Sequence, residues 1–274
     1  MSLTSFIKNS DVKEKFLQEF PKPEFRLKKE LLAPPLTNHY GLVGTAFDYL
    51  LRFYIEHLNP KAITNQWIAD IAIELIRNDE RLYKRASTIV SNAKENHSIF
   101  MKTGLISEDI FKSAVLLAQL DPIFRAGVVD ENIGTVDDRD ISDLRNLISI
   151  VEPKNFKAVE LCLLNPTFGK ASALVGGADV DLVIDDMMID IKTTKKFELQ
   201  RDYFNQLIGY YVLYRIGGID GMPPKHEIRR IGIYFSRHGY LYLIDVHDVI
   251  NQDTFSKFIE WFKERAEKEY GLQK

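Results

Sequence analysis

One stretch, Gly177-Ala-Asp-Val-Asp-Leu-Val-Ile-Asp-Asp-Met-Met-Ile-Asp-Ile-Lys192, limits the possible folds more than any other part of the chain. Its apolar residues alternate with acidic ones around Asp185-Asp186, which reads as a hairpin with that pair at the tip. In this register Ile184 pairs with Met187, Leu182 with Ile189 and Val180 with Ile191, giving an apolar row that faces a core. The other face is charged, with Asp181 across from Asp190 and Asp179 across from Lys192. Like charges directly opposite each other destabilise a sheet, so nothing structural recommends setting Asp181 against Asp190. A bound cation removes that penalty. Two carboxylates converging on one point form a hard-oxygen site suited to Mg2+ or Mn2+, and the ammonium of Lys192 can hold a water or an anionic oxygen. The plain alternative is an exposed hairpin with the alternation that many antiparallel sheets show.

Three regions flank or contain this hairpin. Residues 1–38 carry Pro21, Pro23, Pro34 and Pro35 and read as a short helix followed by an extended arm. Residues 39–152 are helical in pattern: Leu42, Phe47, Leu50, Leu51, Tyr54 and Leu58 recur at helical spacing, as do Ile63, Trp67, Ile71 and Leu75. Further helices are expected over 79–102 and 108–120. After Glu152-Pro153 the pattern changes, with strands expected at 157–164, 174–184, 187–193, 228–235 and 240–245, and helices over about 200–214 and from Asp253 to near Gly271. The expected class is α/β (α+β), a mixed central sheet flanked by helices in residues 153–274, preceded by the large helical region.

Composition removes several classes of function. A formal net charge of −3 argues against coating nucleic acid through sheer positive charge. A local basic patch is expected instead, running through Lys192, Lys195, Lys196, Arg201, Arg215, Arg229, Arg230 and Arg237. The single cysteine, Cys162, lies in an apolar stretch and reads as a buried structural thiol. The six histidines show no metal-ligand spacing, and no phosphate-binding glycine loop of the ATPase type is present. No apolar run is long enough to span a bilayer, and the polar start lacks the order of a signal peptide, so a cytoplasmic protein without membrane contact is expected.

The order G-x-x-x-D, a short turn, D-I-K-T-T, then a helix carrying Gln206-Leu-Ile-Gly-Tyr210 resembles the PD-(D/E)xK nuclease superfamily, and within it the RecB-like exonuclease branch. The likeness covers roughly residues 156–245. It implies a restriction-endonuclease-like core and Mg2+-dependent or Mn2+-dependent hydrolysis of DNA phosphodiesters, exonucleolytic rather than endonucleolytic, in repair, recombination or defence. Carried onto this sequence, the motif residues are Asp181, Asp190, Lys192, Gln206 and Tyr210. Asp181, Asp190 and the backbone carbonyl of Ile191 would hold the metal, and Lys192 would orient the nucleophile and stabilise charge. The branch tends to carry G-x-x-x-H on an earlier helix; Gly44-Thr-Ala-Phe-Asp48 offers aspartate there, itself a good oxygen ligand. The third ligand is therefore Asp48 or Glu160, and Asp179, on the same hairpin face, could exchange roles with Asp181. Implied partners are single- or double-stranded DNA, a helicase or recombination protein, and other copies of the chain. The rival reading is a catalytically silent module of the same fold that binds DNA or a partner.

Overall fold

Six strands form one mixed sheet in chain order, β1 (Ile63–Thr64), β2 (Cys162–Leu164), β3 (Leu182–Ile184), β4 (Met187–Lys192), β5 (Arg230–Phe235) and β6 (Tyr240–Asp245), in a computed structural model that describes residues 2–129 and 132–271. The extreme ends of the first and last expected regions, Met1 and residues 272–274, lie outside the described residues. Strands β1 and β2 are parallel, as are β4 and β5, and the remaining neighbours are antiparallel.

Helices cover both faces. One layer is α1 (Leu3–Phe6) and α2 (Ser10–Glu19) with α9 (Lys170–Leu174), α10 (Arg201–Gly217), α11 (Val246–Val249) and α12 (Gln252–Tyr270). The opposite layer is α3 (Tyr40–Leu58), α4 (Ile68–Leu75), α5 (Glu80–Thr103), α6 (Glu108–Ala118), α7 (Asp121–Ala126) and α8 (Asp138–Ser149). Side chains alternate strictly between the two cores: Leu182, Ile184 and Ile189 join the α3–α8 side, whereas Val183, Met188 and Ile231 join the α10–α12 side. The parallel step from β4 to β5 needs a crossover connection, which α10 provides. Among the described residues no helix is long and apolar enough to cross a membrane.

Local signals explain many boundaries. Asp79 caps α5 through the Leu82 N–H, and Gly104 ends it in the left-handed conformation at φ 69°. Ser107 caps α6 and Asn251 caps α12. The hairpin turn closes tightly on Asp185, a non-glycine residue at φ 49°, which is stabilised because its carboxylate accepts the N–H groups of Val159, Glu160 and Leu161. Partial burial opposes ionisation of Asp185, but these three donors outweigh it and hold the carboxyl below its ordinary range.

The structure departs from the expected pattern in four places. Strand β2 begins at Cys162, not at 157, because the backbone of 159–161 is spent on Asp185; Val159 is 90% exposed. The expected strand 174–184 reduces to Leu182–Ile184, since Lys170–Leu174 is helical and Gly176 and Gly177 follow it at positive φ. Ile63 leads an edge strand, and the helix expected from it starts only at Ile68. The hairpin is also apolar on both faces along its ladder, because the N-terminal helices, α10 and α12 supply a second covering layer.

The proline-containing arm, residues 20–39, is largely exposed and connects α2 of one layer to α3 of the other. Phe25 packs on Phe197, Phe235 and Tyr242, and the N–H groups of Leu32 and Ala33 donate to the Arg237 carbonyl. Arg237 itself is fully buried, bonded to Asp143 through both terminal nitrogens at 2.8 and 3.1 Å and to the Ala33 carbonyl. This corrects the expected basic patch: Arg237 is a core cation, and Arg201 donates to the Phe16 and Phe20 carbonyls instead of facing a ligand. Cys162 is buried, and burial pushes its thiol up to about 12.

Candidate functional site

The site lies where β3 and β4 part. Their ladder stops at Leu182–Ile189, so the expected Val180–Ile191 pair does not form, and Val180 turns into the opposite core. The chain bends at Asp181: its carbonyl accepts the Asn165 N–H, and its carboxylate Oδ2 accepts the Ile191 N–H at 2.6 Å. A side chain thereby replaces the next rung of the sheet and sets Asp181 beside the end of β4 that carries Asp190 and Lys192. Asp179 is held by a single bridge to Thr167, so it is not across from Lys192 as expected. A cavity of about 360 Å³ opens here, and Asp48, Asp179, Asp181, Asp190, Ile191, Lys192, Gln206 and Tyr210 all line it.

Lys192 is the hub. Its Nζ lies 2.7 Å from Asp190 Oδ2 as an ion pair, donates to Gln206 Oε1 at 3.0 Å and sits 5.0 Å above the Tyr203 ring. Gln206 passes the chain on, its Nε2 donating to the Tyr210 hydroxyl at 2.7 Å. This relay requires Gln206 and Tyr210 one helical turn apart on α10, the spacing that brings side chains together on a helix face. Tyr210 is buried and stacks on Phe168 at 5.7 Å.

From the other layer, α3 presents Gly44, Thr45 and Asp48 to the cavity. Asp48 Oδ2 accepts a bond from buried Arg52 at 2.6 Å, one turn on, while Asp48 Oδ1 is buried with no hydrogen-bond partner among the described residues. Glu160 is not in the cavity. It is exposed and lies at the hairpin-tip end of the sheet, beside Asp185, so of the two expected third ligands only Asp48 stands in the cavity.

Four carboxylates around one cavity carry an electrostatic cost. Burial, then the charges of Asp190 and Asp48, pushes the Asp181 carboxyl well above its ordinary range, against the opposing pull of the Ile191 N–H and Lys192. Burial also raises Asp190; Lys192 opposes this, and Asp48 and Asp179 reinforce it. Lys192 loses some stability to burial but gains more from Asp190, so its ammonium stays charged. Burial and then the Asp190, Asp181 and Asp179 charges raise the Tyr210 phenol, which stays protonated.

Comparisons with protein families, with curated proteins and with solved structures find no match.

The donor chemistry suits a divalent cation: every available ligand is a hard oxygen, Asp48 Oδ1 is buried with no hydrogen bond or ion pair among the described residues, and two carboxyls are held ionised only at a cost. Among the described residues no three His, Cys, Asp or Glu side chains are drawn close enough together to hold a metal as they stand. Sequence reasoning missed Arg52 and Arg125, which shape the α3–α7 wall. Asp48 and Arg52 carry an i, i+4 charge-pair signal that could have revealed the first. Asp121 and Arg125 carry the same i, i+4 spacing on α7, which could have revealed the second.

Proposed function

We propose that the chain is a divalent-metal-dependent nuclease that hydrolyses DNA phosphodiesters, built on a restriction-endonuclease-like core of the PD-(D/E)xK type. The observation that carries this reading is the convergence on one cavity of Asp48, Asp181 and Asp190 with Lys192 and its Gln206–Tyr210 relay. The mixed sheet with its β3–β4 hairpin and the α10 crossover into parallel β5 is consistent with that core.

Asp181, Asp190 and Asp48 would hold the ion, with the Ile191 carbonyl as a further hard donor; Glu160 is not among the candidates. When bound, Mg2+ or Mn2+ supplies neutralisation of phosphate charge and activation of water. The chain's own residues do the rest. Lys192 carries a fixed positive charge beside the reacting position, where a preorganised cation favours charge that develops on phosphate oxygens. Gln206 Oε1 holds the Lys192 ammonium beside Asp190, and neutral Tyr210 fixes Gln206. Exonuclease action, DNA over RNA, and service beside a helicase or recombination protein rest on the motif resemblance alone.

A second reading has two observations in its favour: Lys192 is spent on Asp190, and among the described residues no ligand triad is gathered, as expected of a silent nuclease-fold module. Digestion of linear, nicked and single-stranded DNA in Mg2+ separates the two. The nuclease reading predicts cleavage by the wild type that is abolished in Asp190→Ala and Lys192→Ala; binding without cleavage selects the module, and full activity in either variant overturns the site.

A further inference from the structure

We infer that Arg125 is the phosphate-receiving residue of this cavity and that the helical region, through α3 and α7, supplies the substrate-binding wall. The inference rests on the nuclease reading and adds to it a residue outside the motif. A cavity lined by Asp48, Asp179, Asp181 and Asp190 repels a polyanion unless some cation can meet the phosphate. Lys192 already has Asp190 and Gln206 as partners. Arg52 is buried and engaged with Asp48, with its guanidinium 4.8 Å from the Tyr49 ring. Arg125 differs from both. Its side chain is 56% exposed and lines the cavity, and its one polar contact among the described residues is a long one, Nε to Asp121 Oδ2 at 3.5 Å. Among the described residues nothing engages the two terminal nitrogens, whose fork geometry matches two phosphate oxygens.

A buried relay fixes where that fork stands. Asp121 is buried, and its Oδ1 accepts the Tyr49 hydroxyl at 2.7 Å, while the same hydroxyl accepts the Ala69 N–H. Tyr49 neighbours Asp48 on α3, and Arg52 contacts both. The carboxylate side of the cavity and the guanidinium side are thus tied to one rigid unit of the helical layer. Tyr49 and Asp121 are positioning residues in this account, and Arg125 is the binding group.

The test is fluorescence anisotropy with a labelled DNA oligonucleotide in Ca2+, over a series of salt concentrations, on wild type, Arg125→Ala, Arg125→Lys and the charge-matched surface control Lys112→Ala. Cleavage in Mg2+ is followed in parallel. Loss of one phosphate contact predicts about tenfold weaker binding in Arg125→Ala, a salt slope shallower by about 1, partial recovery in Arg125→Lys and no change in Lys112→Ala. In the cleavage assay KM should rise more than kcat falls. Wild-type affinity and slope in Arg125→Ala would overturn the inference whether or not the protein cleaves. Absence of cleavage in the wild type, with the binding difference intact, would instead remove the nuclease reading and leave Arg125 as a phosphate contact.

Discussion

Replacing Lys192 by methionine removes the ammonium while keeping an unbranched stem of similar length, and the structure sets the size of the effect. The ammonium stands 2.7 Å from Asp190 Oδ2, and Asp190 is 3% exposed. At that separation and an effective dielectric constant of about 20, the attraction is roughly 6 kcal/mol, an upper figure because both groups were dehydrated to form the pair. Removing one partner of a buried pair costs about 3–5 kcal/mol, and the 19% exposure of Lys192 points to the low end, about 3 kcal/mol. At about 2–4 °C per kcal/mol, the thermal midpoint should fall by roughly 6–12 °C near pH 8. The loss must depend on pH. Burial already raises the Asp190 carboxyl, with Lys192 as the chief opposing influence, so the variant raises it further. A carboxyl raised in the folded state contributes its full stability below the unfolded pKa and loses it as pH rises through the folded pKa. The deficit against wild type should therefore shrink between about pH 8 and about pH 5, as Asp190 takes up a proton and sheds its buried charge. Urea denaturation at the two pH values, with unchanged slopes, reads this directly. An equal deficit at both pH values, or none, would refute the reasoning.

Other consequences follow from burial and pairing. Asp143→Ala strands the Arg237 guanidinium in the core and should cost about 4 kcal/mol in chemical denaturation, whereas the double change Asp143→Leu with Arg237→Met should recover most of it. Glu160→Ala should change stability by less than about 0.5 kcal/mol and leave both metal titration and cleavage as in wild type. Asp48→Ala should weaken Mn2+ binding by at least about tenfold in the same titration, and unaltered affinity would remove Asp48 from the ligand set.

What the sequence disclosed and what it withheld divide along physical lines. The hairpin register was legible, because side-chain period and a two-residue tip leave little freedom once Leu182 and Ile189 must share a core. So were α5 and α12, expected over 79–102 and from Asp253 to near Gly271 and found at Glu80–Thr103 and Gln252–Tyr270, because their periodic apolar stripes are long. The Lys192–Gln206–Tyr210 relay was legible as motif spacing, although not its bonding. The failures arise where a long-range contact overrides a local pattern. Val159 and Glu160 look like a strand, but Asp185, 25 residues beyond Glu160, captures their N–H groups. Arg237 looks like a surface cation until Asp143, 94 residues earlier, meets it in the core. The charged face expected for the hairpin begins only beyond its ladder, because helical layers cover the ladder on both faces. Arg125 shows a local charge pair with Asp121 one turn earlier, but its place in the cavity comes from the packing of α7 against α4 and from the Tyr49–Asp121 bond, which no local pattern announces.

The central claim is that the carboxylates of the cavity are held for a divalent ion, and calorimetric titration of Mn2+ into the wild type and Asp190→Asn tests it most directly. Because burial and neighbouring carboxylates raise Asp181 and Asp190, metal entry must displace protons as the pH falls toward their range. The account predicts saturable binding in the wild type, a heat that varies with the ionisation enthalpy of the buffer more strongly at lower pH, and loss of both in Asp190→Asn. Absence of wild-type binding, or binding of equal strength in the folded variant, would contradict it.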